Sequence, residues 1–176
     1  MQGRCVFISG GVRSGKSAFA EHYIIKHKKQ RQPVYIASGV AFDEEMAKRI
    51  KRHQQDRQHA SWITIEVPNA FPQLFQQLNT RHILLWDCIT TWLTNILVEN
   101  LPVDNMLNQL KAQLQQWRKD GITVVIVSNE VLDAGISFYE FTAHYQQLLG
   151  ELNQWLVSFC DEAYELEYGL MERWKG

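Results

Sequence analysis

Nothing in this chain marks it for an oxidising compartment, a membrane or a polyanion. Its 176 residues include only three cysteines, Cys5, Cys88 and Cys160, and none forms a C-x-x-C pair. An odd, widely spaced set argues against a disulfide framework. Two of the three sit in apolar strand-like runs, where a free thiol behaves as a small hydrophobe. An excess of one charge is also missing. Lys plus Arg number 18 against 19 Asp plus Glu, leaving a formal net charge of −1. That balance gives no basic footprint for nucleic acid and no attraction to an anionic membrane surface. The apolar run near the N-terminus is far too short for a signal peptide, and no run reaches transmembrane length. The cytoplasm is therefore the expected compartment. Linkers, internal repeats and low-complexity tracts are absent. The glutamines (Gln73, Gln76, Gln77, Gln109, Gln113, Gln115 and Gln116) read as solvated helix faces. The length suits one domain, 1–176, with a sizeable core.

What is present is alternation. Strand-like runs occur near 4–9, 33–38, 62–67, 82–87, 122–128 and 162–168. Helix-compatible segments occupy 17–29, 43–57, 70–79, 90–100, 104–119 and 138–160. The runs Ile83-Leu84-Leu85-Trp86 and Ile122-Thr123-Val124-Val125-Ile126-Val127 are almost continuously apolar, as strands covered on both faces are. This order predicts an α/β fold with a mostly parallel central sheet flanked by helices. The 62–67 run alternates less cleanly and reads as an edge or antiparallel strand.

The most specific motif is Gly10-Gly11-Val12-Arg13-Ser14-Gly15-Lys16-Ser17, a complete G-x-x-x-x-G-K-[ST] phosphate-binding loop. An apolar strand run precedes it and a helix-compatible run follows, which is the context the motif needs. The glycines let successive backbone N–H groups converge on phosphate oxygens, and the helix dipole favours the same anion. Lys16 is placed to reach the β- and γ-phosphates and Ser17 to ligate Mg²⁺. Such loops work with an acid ending a neighbouring strand, and Asp87 is the candidate. Its alternative role is to cap the following helix, which Thr90 or Thr91 can cap equally well. Asp161 and Glu162, before the last strand-like run, read as ordinary loop residues.

Asp43 to Arg57 forms a second candidate element, with acids in the first turn and bases later, matching the helix dipole. Arg49, His53 and Arg57 recur at i, i+4 and i+8 and project from one face. By spacing alone this is a solvated basic face. The sharper reading is a phosphate-handling row, in which flanking arginines keep the His53 imidazole neutral and nucleophilic toward phosphorus. His22, His27, His59, His82 and His144 lack ligand-like partners and read as surface or packing residues, and the six tryptophans as core or interface anchors. Trp86, beside Asp87, is a minor candidate for lining the nucleotide site. Glu130, just past the strand at 122–128, stands where open α/β sheets place ligands and is a candidate base for phosphoryl transfer.

Several stretches match together and in order. They are Ser9 to Ser17 with Ala20-Glu21; Tyr35-Ile36-Ala37-Ser38; and Asp43-Glu44-Glu45-Met46 with Arg49 to His53 and Arg57. Leu85 to Asn95, Val127-Ser128-Asn129-Glu130-Val131 and Gly150 to Gln154 complete the set. Through them the chain resembles the bifunctional adenosylcobinamide kinase / adenosylcobinamide-phosphate guanylyltransferase family of cobalamin biosynthesis. The resemblance implies a RecA-like P-loop NTPase fold, a homotrimer with its active site near a subunit boundary, and two reactions. In the first, ATP or GTP phosphorylates the aminopropanol hydroxyl of adenosylcobinamide. In the second, GMP passes from GTP to that phosphate through a GMP-histidine intermediate, whose histidine falls on His53. Ser38, Gly39, Val40, Gln54, Gln55, Asp56, Arg57, Glu66 and Asp87 fall where the family contacts GTP. Two places depart from the pattern. Leu132 to Ser137 lacks the usual Gly-x-Gly-Ile-Val-Pro-like segment, and Ala143 to Gln147 replaces an Arg-x-Phe-Arg-Asp pattern. The tail from Gly169 also differs. These departures leave open a member with one of the two activities, or a non-catalytic GTP-binding regulator.

Overall fold

Alternation along the chain becomes alternation in space. The computed structural model describes residues 2–39, 61–129 and 139–176, together with Lys48, Lys51 and Gln55, which are helical. The strands are β1 (Cys5–Gly10), β2 (Gln32–Ala37), β3 (Ile63–Glu66), β4 (His82–Asp87), β5 (Thr123–Val127), β6 (Glu162–Glu167) and β7 (Leu170–Lys175). The helices are α1 (Lys16–His27), α2 (Ile89–Val98), α3 (Val103–Lys119) and α4 (Tyr139–Phe159). They build a seven-stranded sheet in the order β3-β2-β4-β5-β1-β6-β7. All neighbours pair in parallel except β6 and β7, which are antiparallel.

Side chains alternate across each strand with period two, and the two faces build two cores. Val6, Ile8, Ile83, Leu85, Val125 and Val127 pack under Ala20 and Ile24 of α1. Cys5, Phe7, Leu84, Trp86, Val124 and Ile126 face α2, α3 and α4. There the rings of Trp86, Trp92 and Trp117 meet edge to face, with Trp86 centroids 6.0 and 6.3 Å from the other two. All three are essentially inaccessible to solvent. Each buries on the order of 2–3 kcal/mol of apolar surface, so this layer fixes the sheet's lower face.

Two expectations change here, and one open alternative is decided. The 70–79 segment holds only a 3₁₀ turn, Gln73–Gln77, because Pro72 precedes it and the chain is extended again at Leu78. The β3 run is an edge strand, and it is parallel. A seventh strand, β7, follows the last expected one, reversed by the two-residue turn Tyr168-Gly169 with φ of 50° and 79°. Five of its six residues are exposed, so it carries no alternating apolar signal.

Asp161 and Glu162 are not loop-like bystanders. Glu162 begins β6, is 4% exposed and accepts hydrogen bonds from Tyr23 (3.0 Å) and Tyr164 (2.6 Å), besides pairing with Arg4. Burial pushes its carboxyl up, but the bonds from Tyr164 and Tyr23 and the charges of Arg4 and Arg173 outweigh it and hold the group below its usual range. Tyr23, buried against that carboxylate, is raised far above its ordinary value. Asp161 pairs with Arg118 and accepts from the Cys5 N–H. The three cysteines are buried and free, as expected. Among the described residues, no helix is long and apolar enough to cross a membrane.

Candidate functional site

The phosphate-binding loop leaves β1 at Gly10 and enters α1 at Lys16. Two of its glycines are obligatory. A Cβ on Gly10 would lie 2.3 Å from the Leu166 carbonyl oxygen, and Gly15 has a φ of 90° at the helix N-cap. Inside the loop the Lys16 ammonium donates to the Gly11 carbonyl at 2.9 Å. Ser14 is 4% exposed, and its hydroxyl has no hydrogen-bond partner among the described residues. A buried hydroxyl without a partner costs about 1–3 kcal/mol. Phosphate oxygens, which accept hydrogen bonds, are the chemistry that would relieve it.

Strand alternation decides what shares the loop's face. Ile83, Leu85 and Asp87 of β4 point toward α1, and Leu84 and Trp86 point away. Asp87 therefore shares a face with Lys16, and Trp86 does not. Trp86 is fully buried and spends its indole N–H on the Ser38 hydroxyl at 2.8 Å, so it does not line the site. Asp87 is half-buried and accepts from the Tyr35 hydroxyl at 3.0 Å. The peptide joining it to Cys88 is cis. Asp87 does not cap α2; Cys88 does, its sulfur accepting from the Thr91 N–H. Burial, then the charge of Asp87, pushes the Cys88 thiol up and keeps it protonated.

Register aligns a second acid with the first. Ala37 pairs with Asp87 on one side and Glu66 on the other. Two strand spacings separate the acids by about 10 Å, with the small Ala37 side chain between them. Alternation turns Glu66 away from Ile65 and Val67, which lie in the lower core, and so onto the Asp87 face. Beyond Asp87 comes Asn129, at the end of β5, whose N–H donates to Thr90 at 2.7 Å. Ser128 bonds Thr90 and Asn153 at 3.0 and 2.8 Å, tying the start of α2 to β5 and α4.

The carboxyl edge of the sheet thus brings together the loop, Asp87, Glu66 and Asn129. Ser38 stands one residue beyond Ala37, but its side chain is turned into the lower core. Its hydroxyl is taken by Trp86 and its carbonyl accepts from Asn95 at 2.9 Å. Gly39 follows, exposed, and Gln55 is exposed on a helix. Val40, Arg49, His53, Gln54, Asp56, Arg57, Glu130 and His59 lie outside the described residues. His22 and His144 are exposed, His27 stacks on Tyr23 and His82 bonds Asn79, all packing or surface roles. Sequence reasoning missed Tyr35, Cys88 and Thr90 as supports of the site. Their roles depend on contacts across strands, which no local pattern records.

Among the described residues no cluster of three or more His, Cys, Asp or Glu could hold a metal on its own. A half-buried hydroxyl at Ser17 and one carboxylate at Asp87 are hard oxygen donors. They fit an ion that keeps most of its waters and takes phosphate oxygens, as Mg²⁺ does.

A strand, a glycine loop whose lysine opens a helix, and an acid ending a strand two places away define an α/β P-loop NTPase of the RecA-like type. The flagellar accessory protein FlaH from Methanocaldococcus jannaschii shares this fold. Its TM-score is 0.58 over 99% of this chain and 79% of that one, at 11% identity, which bears on fold alone. The family model for cobinamide kinase / cobinamide phosphate guanyltransferase matches residues 6–173. The chain belongs to that family. It is 32% identical to the bifunctional adenosylcobalamin biosynthesis protein CobP of Pseudomonas aeruginosa, covering 96% of each. It is 32% identical to the corresponding CobU of Salmonella typhimurium and 29% to that of Escherichia coli, each over 94% of this chain and 96% of the relative.

Proposed function

We propose that this chain phosphorylates adenosylcobinamide and then transfers GMP from GTP to the resulting phosphate. The observation that carries the reading is the shared face of Lys16, Asp87 and Glu66 at the sheet's carboxyl edge, beside a loop with an unpartnered buried hydroxyl. The family match and the bifunctional names of its relatives support the pair of reactions.

In the kinase step the loop N–H groups and Lys16 hold the triphosphate of ATP or GTP. The substrate hydroxyl attacks the γ-phosphorus, its proton passes to Glu130, and the nucleoside diphosphate leaves. Mg²⁺ held through Ser17 and Asp87 supplies charge neutralisation on the phosphate oxygens. In the second step an imidazole nitrogen of His53 attacks the α-phosphorus of GTP, the bond to pyrophosphate breaks, and GMP stays on the histidine. A phosphate oxygen of the cobinamide phosphate then attacks that phosphorus and the N–P bond breaks, releasing adenosyl-GDP-cobinamide. Gln54, Gln55, Asp56 and Arg57, with Gly39, Val40 and Glu66, are the proposed GTP contacts, and Ser38, whose polar atoms are spent in the core, supports them from below. The active assembly in this reading is a homotrimer, which light scattering would report as three times the chain mass.

Mass spectrometry after incubation with Mg²⁺-GTP tests the covalent step. A GMP-sized adduct on wild type and none on His53→Ala is the expected result. No adduct on either protein would sink it. The divergence at 132–137 and 143–147 favours a second reading, a member with one activity. Separate assays with adenosylcobinamide and with its phosphate distinguish the two, since full turnover of both disposes of the narrower one.

A further inference from the structure

The β6–β7 turn stands against the phosphate-binding loop on the flank away from Asp87. The Gly169 N–H donates to the Ser14 carbonyl at 3.0 Å, and a Cβ on Gly15 would come within 3.8 Å of the Gly169 Cα. The turn is therefore built onto the loop. Its other residue is Tyr168, 96% exposed with a φ of 50°. Two-residue hairpin turns with positive φ at both positions favour Asn-Gly or Asp-Gly, and an aromatic side chain rarely adopts this conformation. A large ring is thus held in water, in a backbone state that disfavours it, beside a phosphate site. Departures from local preference of this kind collect at functional positions.

Direction along the triphosphate follows from sheet order. Asp87 lies two strands from β1 on the β5–β4 side, and β6 with its turn flanks β1 on the other. A donor whose γ-phosphate faces the Asp87 side projects its nucleoside toward the β6–β7 turn. Glu66 cannot meet the same base, because its strand stands four spacings from β1, about 19 Å away. We propose that Tyr168 is the stacking platform for the nucleobase of the phosphate donor in the kinase step, on the opposite flank of the loop from the Glu66 side. The proposal rests on the kinase reading above and deepens it: one loop serves two reactions with two base sites.

Calorimetric titration of the full chain with Mg²⁺-ATP and, separately, with inorganic tripolyphosphate tests this without turnover. Tyr168→Asn keeps a turn residue that tolerates positive φ and removes the ring. It should weaken ATP binding about tenfold, the loss of one stacked ring, and leave tripolyphosphate binding unchanged. Tyr168→Phe should bind ATP as wild type does, and the GMP adduct should form on all three proteins. Unchanged ATP affinity in Tyr168→Asn overturns the platform. An equal loss for ATP and tripolyphosphate also overturns it, because the turn would then serve only the shape of the loop. Tyr168-dependent ATP binding in a wild type that phosphorylates no cobinamide leaves the platform standing and fails the kinase reading instead.

Discussion

At the amino end of the sheet Glu162 is 4% exposed and is met by Tyr23, Tyr164 and Arg4. At the carboxyl end Asp87 is half-buried and accepts from Tyr35, Glu66 is exposed, and the Ser14 hydroxyl of the phosphate-binding loop has no partner among the described residues. Both ends carry acids at strand termini. They differ in how far the protein itself satisfies them. A buried carboxylate with three donors is complete without a ligand and joins β1, α1 and β6. Acids and hydroxyls with open capacity around a glycine loop are arranged for something that arrives later. Between these two sets of acids and hydroxyls, partner count and not acidity is the difference.

The strongest way to break that comparison is to remove the loop lysine. Lys16→Ala should lower nucleotide-dependent turnover by about 10³-fold, in line with the loss of a charge that acts on the transferring phosphoryl group. Its unfolding free energy should change by no more than about 1 kcal/mol, the order of one hydrogen bond such as that to Gly11. Initial rates beside urea unfolding check both, and a large loss of stability would place Lys16 with Glu162 as structure. Asp87→Asn keeps the shape and removes the one carboxylate charge directed at the metal, so a fall of about 10²-fold with stability near wild type is expected. Glu162→Ala should reverse the pattern. It leaves the buried Tyr23 and Tyr164 hydroxyls without their acceptor and should cost about 3 kcal/mol. Affinity for ATP per folded molecule should stay within about twofold, because the network lies at the opposite end of the strands from the loop.

Much of this was readable before the fold was known. The phosphate loop, Asp87 and the parallel sheet rest on local signals: glycines at fixed offsets, an acid closing an apolar run, and continuous hydrophobicity in strands covered on both faces. The Glu66–Ala37–Asp87 row was not readable, because register between β3, β2 and β4 is set by pairing and leaves no mark within any one strand. Glu162 was misread for the same reason. Its donors sit 139 residues away at Tyr23 and 158 away at Arg4. The β7 strand escaped because its faces are nearly all solvated, although Gly169 between apolar neighbours was an available hairpin signal. The Trp86 indole shows the opposite case: adjacency to Asp87 in sequence suggested the site, and the two-residue period of a strand placed it on the other face.

The mildest test of the comparison uses pH instead of mutation alone. The folded Glu162 carboxyl lies below its unfolded value, because bonds from Tyr164 and Tyr23 and the nearby arginines favour the ionised form more than burial opposes it. Over the range between those two values the unfolded chain binds the extra proton, so stability rises with pH. The contribution is complete above the unfolded carboxyl value of about 4.3 and disappears as pH falls through the lower folded one. Urea midpoints of wild type and Glu162→Gln should therefore differ by a constant amount between about pH 5 and pH 7, and converge on further acidification. The glutamine keeps the shape and can still accept one tyrosine hydroxyl, so the constant difference should be smaller than the alanine deletion, about 1–2 kcal/mol. Midpoints that stay equally far apart below about pH 4 would show that Glu162 acts through packing rather than charge. In that case the two ends of the sheet would differ in burial and not in how far the protein satisfies their charges.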